Sequence, residues 1–165
     1  MRNKTLSKEE ALGRLEGLCA RSEQCEQDLI RKMINWGINS GDRKEILDSL
    51  KENRYLDNAR YAKSFANDKA RFSSWGPYKI RIELARRHIS SSLISDALKD
   101  VTSEIWKESL LKSAETKART LDFTGENSRE SSQKLYRFLI GRGFPSEMSL
   151  KAVKLMKKRV QDEMD

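Results

Sequence analysis

The chain has 165 residues, of which 37% are hydrophobic and 35% charged, and it carries a formal net charge of +8. So small an apolar share fits a thin, extended core better than one compact ball, and the sign of the charge favours a polyanionic partner. Cys19 and Cys25 give neither a disulfide framework nor a metal-ligand pattern. No apolar run could span a bilayer and no charged-then-apolar leader opens the chain, so the expectation is a cytoplasmic protein without a membrane partner.

Taken in chain order, the apolar residues recur at the three-and-four spacing of amphipathic helices. Leu12, Leu15 and Leu18 mark a first stripe. A helix–stop–helix unit follows from Leu29 to Leu50, and its stop lies at Gly37-Ile38. Asp57 is placed to cap a helix whose stripe is Ala59, Ala62, Phe65, Ala66 and Ala70. Gly76-Pro77 reads as a helix entry, since proline is tolerated in the first turn, and a second helix–stop–helix unit runs from Ile80 to Val101. Trp106, Leu110, Ala114, Ala118 and Leu121 mark another helix, and residues 122–129 read as a loop. Phe144-Pro145 is the second entry point, inside a third unit from Leu135 to Met156. The ends, 1–5 and 160–165, read as frayed.

Ile38, Ile89 and Phe144 fall 51 and 55 residues apart. Around each, apolar residues recur in register: nine before (Leu29, Ile80, Leu135), five before (Met33, Leu84, Leu139), and eight, nine and twelve after. Six matching positions in three copies indicate an internal repeat. Gly37, His88 and Gly143 stand where each helix would end in the left-handed conformation. His88 is therefore read as a structural cap and not as a catalytic base. The expected fold is all-α: an elongated, curved array of three tandem three-helix repeats, about nine helices, at 7–53, 57–101 and 103–158.

The sequence has no glycine-rich phosphate loop, no metal-spaced cluster, no nucleophile elbow and a single histidine, so no enzyme activity, cofactor, metal or small-molecule substrate is expected. Glu83, with Lys79 and Arg87 at helix-pair spacing, reads as a surface ion-pair centre. The informative feature is where the charge lies. Residues 1–52 hold ten basic and ten acidic side chains, whereas residues 53–87 hold nine and three. The candidate binding residues are Arg60, Arg71, Lys79, Arg81, Arg86 and Arg87, with Trp75 and Tyr78. Cations would meet phosphate or acidic protein, and aromatics could stack on unpaired bases. The competing reading puts Tyr61, Phe65 and Phe72 in the core and has Trp75 and Tyr78 pack a helix joint. Lys151, Lys154 and Lys158 would form a secondary basic face on the last helix, or simply complement its dipole. Trp36 and Trp106 read as packing residues.

The stretch Tyr55-Leu56-Asp57-Asn58-Ala59-Arg60-Tyr61-Ala62, followed by Gly76-Pro77-Tyr78-Lys79-Ile80-Arg81-Ile82-Glu83-Leu84, resembles the RecX family of recombination regulators. Ala11-Leu12, Ala20-Arg21-Ser22 and Leu29…Gly37-Ile38 match that family's opening, and the likeness covers about residues 7–158. Asn58 stands in place of the family's second acid and His88 in place of its usual glycine. The resemblance implies a protein that binds the RecA recombinase as its filament on single-stranded DNA and mostly inhibits filament growth, ATPase and strand exchange. Two rivals stay open: direct single-stranded nucleic-acid binding without a recombinase, and a protein-interaction scaffold.

Overall fold

A computed structural model describes residues 5–164, and among them every regular element is an α-helix. In order they are α1 Lys8–Arg21, α2 Glu26–Asn35, α3 Ser40–Glu52, α4 Asn58–Ser73, α5 Pro77–Arg86, α6 Ser91–Asp100, α7 Ser103–Ala118, α8 Asn127–Gly141 and α9 Ser146–Met164. Side-chain caps set the starts. Ser7 and Glu10 form a reciprocal capping box on α1, and Asn39, Asp57, Ser90 and Thr102 each accept an orphan N–H of the helix that follows. Pro77 opens α5.

The three stops share one geometry. Gly37, His88 and Gly143 have φ of 75°, 59° and 93°. The next residue then turns its N–H back onto the helix: Ile38 to Met33 O at 3.0 Å, Ile89 to Leu84 O at 3.2 Å, Phe144 to Leu139 O at 3.2 Å. This is the Schellman closure, and it drives the apolar residue after the cap into the core. His88 is an exposed cap.

Three hydrophobic clusters follow one another along the chain. The first centres on Leu15, Leu29, Met33, Ile46 and Leu50. The second centres on Ala62, Ala66, Ile80, Leu84 and Ile94. The third gathers Ala114, Leu135, Leu139, Phe144 and Met156. Ala62, Ala66 and Ala70 line the buried face of α4, and such small side chains let α6 approach closely. The accessible surface is 10539 Å², against roughly 8,400 Å² expected of a compact monomer of this mass. The array is drawn out.

Helix ends also join the clusters. Gly76 N donates to Arg142 O at 2.7 Å and Tyr78 N to Gly143 O at 3.0 Å, so the first turn of α5 takes the last carbonyls of α8. Ser113 Oγ donates to Ser74 O at 3.0 Å, Ser109 Oγ to Trp75 O at 3.3 Å, and the Arg142 guanidinium to Ser73 O. At the other joint the residue 51 positions before Gly76 is Cys25, whose Sγ donates to Arg87 O at 3.7 Å. The N-terminus of α2 thus meets the C-terminus of α5 as α5 meets α8, an arrangement the opposed helix dipoles favour.

Two sequence expectations need correction. The loop is shorter than 122–129, because α8 already starts at Asn127. The Asp122 carboxylate accepts from Thr124 N, Thr124 Oγ1 and Asn127 Nδ2, Gly125 takes φ 49° and Phe123 is buried, so the turn closes within a few residues. Nor does the helix fray at 160: it continues to Met164, with Val160 packed on the third cluster and Arg159 bonded to Glu115 at 2.6 Å. The rest of the frayed-end expectation, at 1–4 and 165, lies outside the described residues.

A Cβ at Gly143 would sit 2.4 Å from Lys79 N, whereas one at Gly13 would meet nothing within 4 Å. Gly143→Ala adds left-handed strain to a backbone collision and is expected to cost more than about 2 kcal/mol. Gly13→Ala is expected to stabilise by up to about 1 kcal/mol. Urea unfolding of the two variants beside the parent checks both signs.

Candidate functional site

The basic middle segment folds as α4 and α5 with the elbow between them, and its aromatics form a row. Tyr61 and Phe65 have ring centroids 5.9 Å apart, and Phe65 meets Trp75 edge-on at 6.3 Å. All three are partly buried against the second cluster. Cations lie over them: Lys69 Nζ is 5.5 Å from the Phe65 centroid and 4.8 Å from that of Trp75, Lys79 Nζ is 4.4 Å from Trp75, and the Arg87 guanidinium is 5.0 Å from Phe65. Each such contact is worth about 0.5–1 kcal/mol where solvent reaches it. The aromatic row therefore holds the charges in place.

Glu83 sits inside this strip. It accepts from Arg86 at 2.7 Å and Arg87 at 3.1 Å, and not from Lys79 as the spacing suggested, because Lys79 turns to the Trp75 ring instead. The Arg87 hydrogen bond, with help from both guanidinium charges, holds the Glu83 carboxyl below its ordinary value. Five cations (Lys69, Lys79, Arg81, Arg86 and Arg87) thus stand on or beside α4 and α5 against two carboxylates, Glu83 and Asp68. Arg81 is exposed, and the Arg86 side chain is 70% exposed even while paired. Tyr78, one turn before Arg81, is 56% exposed.

Two of the expected residues lie apart from this group. Arg60 is bound to Glu23 at 2.7 Å and donates to Arg54 O and Tyr55 O, tying α4 to the elbow after α1. Arg71 lines a groove with Glu108 and Lys112 of α7. Phe72, which the competing reading put in the core, is 77% exposed, because the buried positions of α4 run 62, 66, 70 and leave 72 on another face. Lys69, a cation of the basic middle stretch but not one of the candidate binding residues, joins the strip, and its signal is the spacing of four from Phe65. On α9, which packs on α7 and α8, Lys151 pairs with Glu147 at 2.7 Å while Lys154 and Lys158 are exposed. Trp36 and Trp106 are partly buried against the first and second clusters. Among the described residues no His, Cys, Asp and Glu cluster could hold a metal, and no helix is long and apolar enough to cross a membrane.

Residues 57–98 match the family model described as RecX, second three-helix domain. The chain is similar to "Regulatory protein RecX" of Pseudomonas putida (strain GB-1), 34% identical over 134 residues that make up 79% of this chain and 81% of that protein. It is also similar to "Regulatory protein RecX" of Clostridium botulinum (strain Eklund 17B / Type B), at 31% over 81% of this chain, and spans 62% of that longer relative. Among solved structures, the "Crystal structure of regulatory protein RecX" superposes with a TM-score of 0.76 at 26% identity, covering 87% of this chain and 71% of the other. The "Crystal structure of RecX from Lactobacillus salivarius" superposes with a TM-score of 0.75 at 18% identity, covering 90% and 96%.

Because the folded Glu83 carboxyl is depressed below 4.5, its pairing stabilises the fold above that pH and is lost as pH falls through the lowered value. Glu83→Gln is therefore expected to cost less than about 1 kcal/mol at pH 7. The gap to the parent should close on acidification below pH 4.5, as chemical unfolding across a pH series would show.

Proposed function

The chain belongs to the RecX family, and on that premise we propose that it binds the RecA recombinase on single-stranded DNA and restrains filament growth, ATP hydrolysis and strand exchange. The role is regulatory and non-enzymatic, and belongs to homologous recombination, DNA repair and the SOS response in the cytoplasm. One observation carries the reading: the cation-over-aromatic strip of α4 and α5 falls in the segment that matches the family's second three-helix domain.

Units 7–53, 57–101 and 103–158 are taken as the repeating modules, and extended arrays suit long, regular partners. In this proposal Lys79, Arg81, Arg86 and Arg87 meet acidic protein surface or DNA phosphate, with Trp75 and Tyr78 beside them. Arg60 and Arg71 act at the margins, and Lys151, Lys154 and Lys158 offer a second contact from α9. Holding the charges on rings spares much of the side-chain entropy that free lysines lose on binding. Bridging neighbouring subunits of a filament would oppose both its growth and its exchange of strands.

The rival reading, direct strand binding without a recombinase, is favoured by exposed Tyr78 beside Arg81. Sequence-specific readout through α6 is not supported, since its exposed residues (Ser91, Ser92, Asp96, Lys99, Asp100) hold two acids to one cation and include no Arg, Asn or Gln to read bases.

Arg81→Glu with Arg86→Glu leaves the partly buried Arg87 in place and reverses two exposed charges. The double variant is expected to need at least tenfold more protein to inhibit RecA ATPase on single-stranded DNA. Unchanged inhibition by the folded variant removes both residues from the site.

A further inference from the structure

The first module looks electrically silent in sequence, with ten cations against ten acids over residues 1–52. Its acids, however, are drawn away from one side. Glu23 pairs with Arg60, Glu26 with Lys51, Asp28 with Arg31, Glu45 with Lys8 and Asp48 with Lys44. Arg43 is bonded to Ile38 O, and three further cations have no carboxylate within salt-bridge distance among the described residues: Arg14 and Arg21 on α1, and Lys32 on α2. All three are exposed and line one groove of about 370 Å³ between the two helices. No acidic residue lines it.

The floor of that groove is open for a ligand. Gly13 and Gly17 lie on the groove side of α1, and a Cβ on either would meet nothing within 4 Å. Trp36, the residue that caps the C-terminus of α2, is partly buried and closes the other wall, and the Arg14 guanidinium lies 5.7 Å from its ring. That distance is near the outer limit of a cation–π contact, so a stacking base can replace Arg14 at modest cost. Arg14 and Arg21, seven residues apart, stand about 10 Å apart along the helix, roughly three nucleotide steps at 3.4 Å each.

The groove is not a by-product of the repeat. Fifty-one positions on, Arg14, Arg21, Lys32 and Trp36 become Phe65, Phe72, Glu83 and Arg87. The cation and ring of the Arg14–Trp36 pair change places as Phe65 and Arg87, and two of the three groove cations give way to an aromatic and an acid. Only one such cation remains in the second module, on the opposite helix.

We propose that the α1/α2 groove is a separate binding site for single-stranded nucleic acid, with Arg14, Arg21 and Lys32 each on a phosphate of one strand and Trp36 stacked on an unpaired base. It needs no recombinase, so its test stands or falls independently of the function proposed above. A strand suits the groove better than an acidic peptide, because carboxylates would use the cations but leave the aromatic wall without a stacking partner.

The test is fluorescence anisotropy of a labelled oligo-dT with the full chain, across a salt series and without recombinase. The groove variant is R14Q/R21Q/K32Q. The charge-matched control is K8Q/K44Q/K134Q, which removes three lysines that pair outside the groove. The groove variant is expected to lose at least tenfold in affinity and to flatten the salt slope by about 2, at roughly 0.7 per phosphate contact; the control should lose less than threefold. Photocrosslinking of an iodo-dU strand should label Trp36, in the tryptic peptide spanning 33–43. Equal losses in the two variants, crosslinks confined to other peptides, or displacement of the strand by poly-glutamate but not by unlabelled oligo-dT would each overturn the site.

Discussion

The structure depends on the way one module's helix end receives the next. The first turn of α5 has backbone N–H groups without intrahelical partners, and the last turn of α8 has carbonyls in the same condition. Gly76 N and Tyr78 N satisfy Arg142 O and Gly143 O directly. Backbones approach so closely only where a side chain is missing, and Gly76 and Gly143 supply that on both sides. The same helix ends meet at the first joint, where Cys25 uses its thiol in place of the backbone. Three small cores are linked into one array without a large interface between them. That is how a chain with so modest an apolar share stays folded.

The elongated arrangement also decides where charge can gather. Surface ion pairs contribute little to stability, but they determine which cations stay unneutralised. In the second module Glu83 takes Arg86 and Arg87, while Lys69 and Lys79 are held by rings. In the first module the paired acids lie elsewhere and leave Arg14, Arg21 and Lys32 together. Two cationic surfaces of different build result: one braced on a row of aromatics, the other an open groove with one aromatic wall.

Much of the fold was legible from residue pattern. The repeat, the left-handed caps at Gly37, His88 and Gly143, and the burial of Ile38, Ile89 and Phe144 all follow from local rules that act within a few residues. The site was less legible, because it depends on choices between partners. Glu83 has Lys79 four residues before it and Arg86 and Arg87 three and four after it, and spacing alone does not say that Lys79 prefers a ring. Phe72 is apolar, yet it stands off the 62–66–70 face of α4. A net charge of zero hid the first-module groove, since a sum over sequence cannot see which acids are spoken for. Asp122 shortened its loop through side-chain hydrogen bonds that composition does not reveal.

The central claim is that α4 and α5 present a braced cationic face to a recombinase filament. Hydrogen–deuterium exchange of the protein, free and bound to RecA on single-stranded DNA, examines this without any substitution. The account predicts that protection on binding centres on residues 65–87. Protection confined to α3 or α9, with 65–87 exchanging as in the free protein, would contradict it.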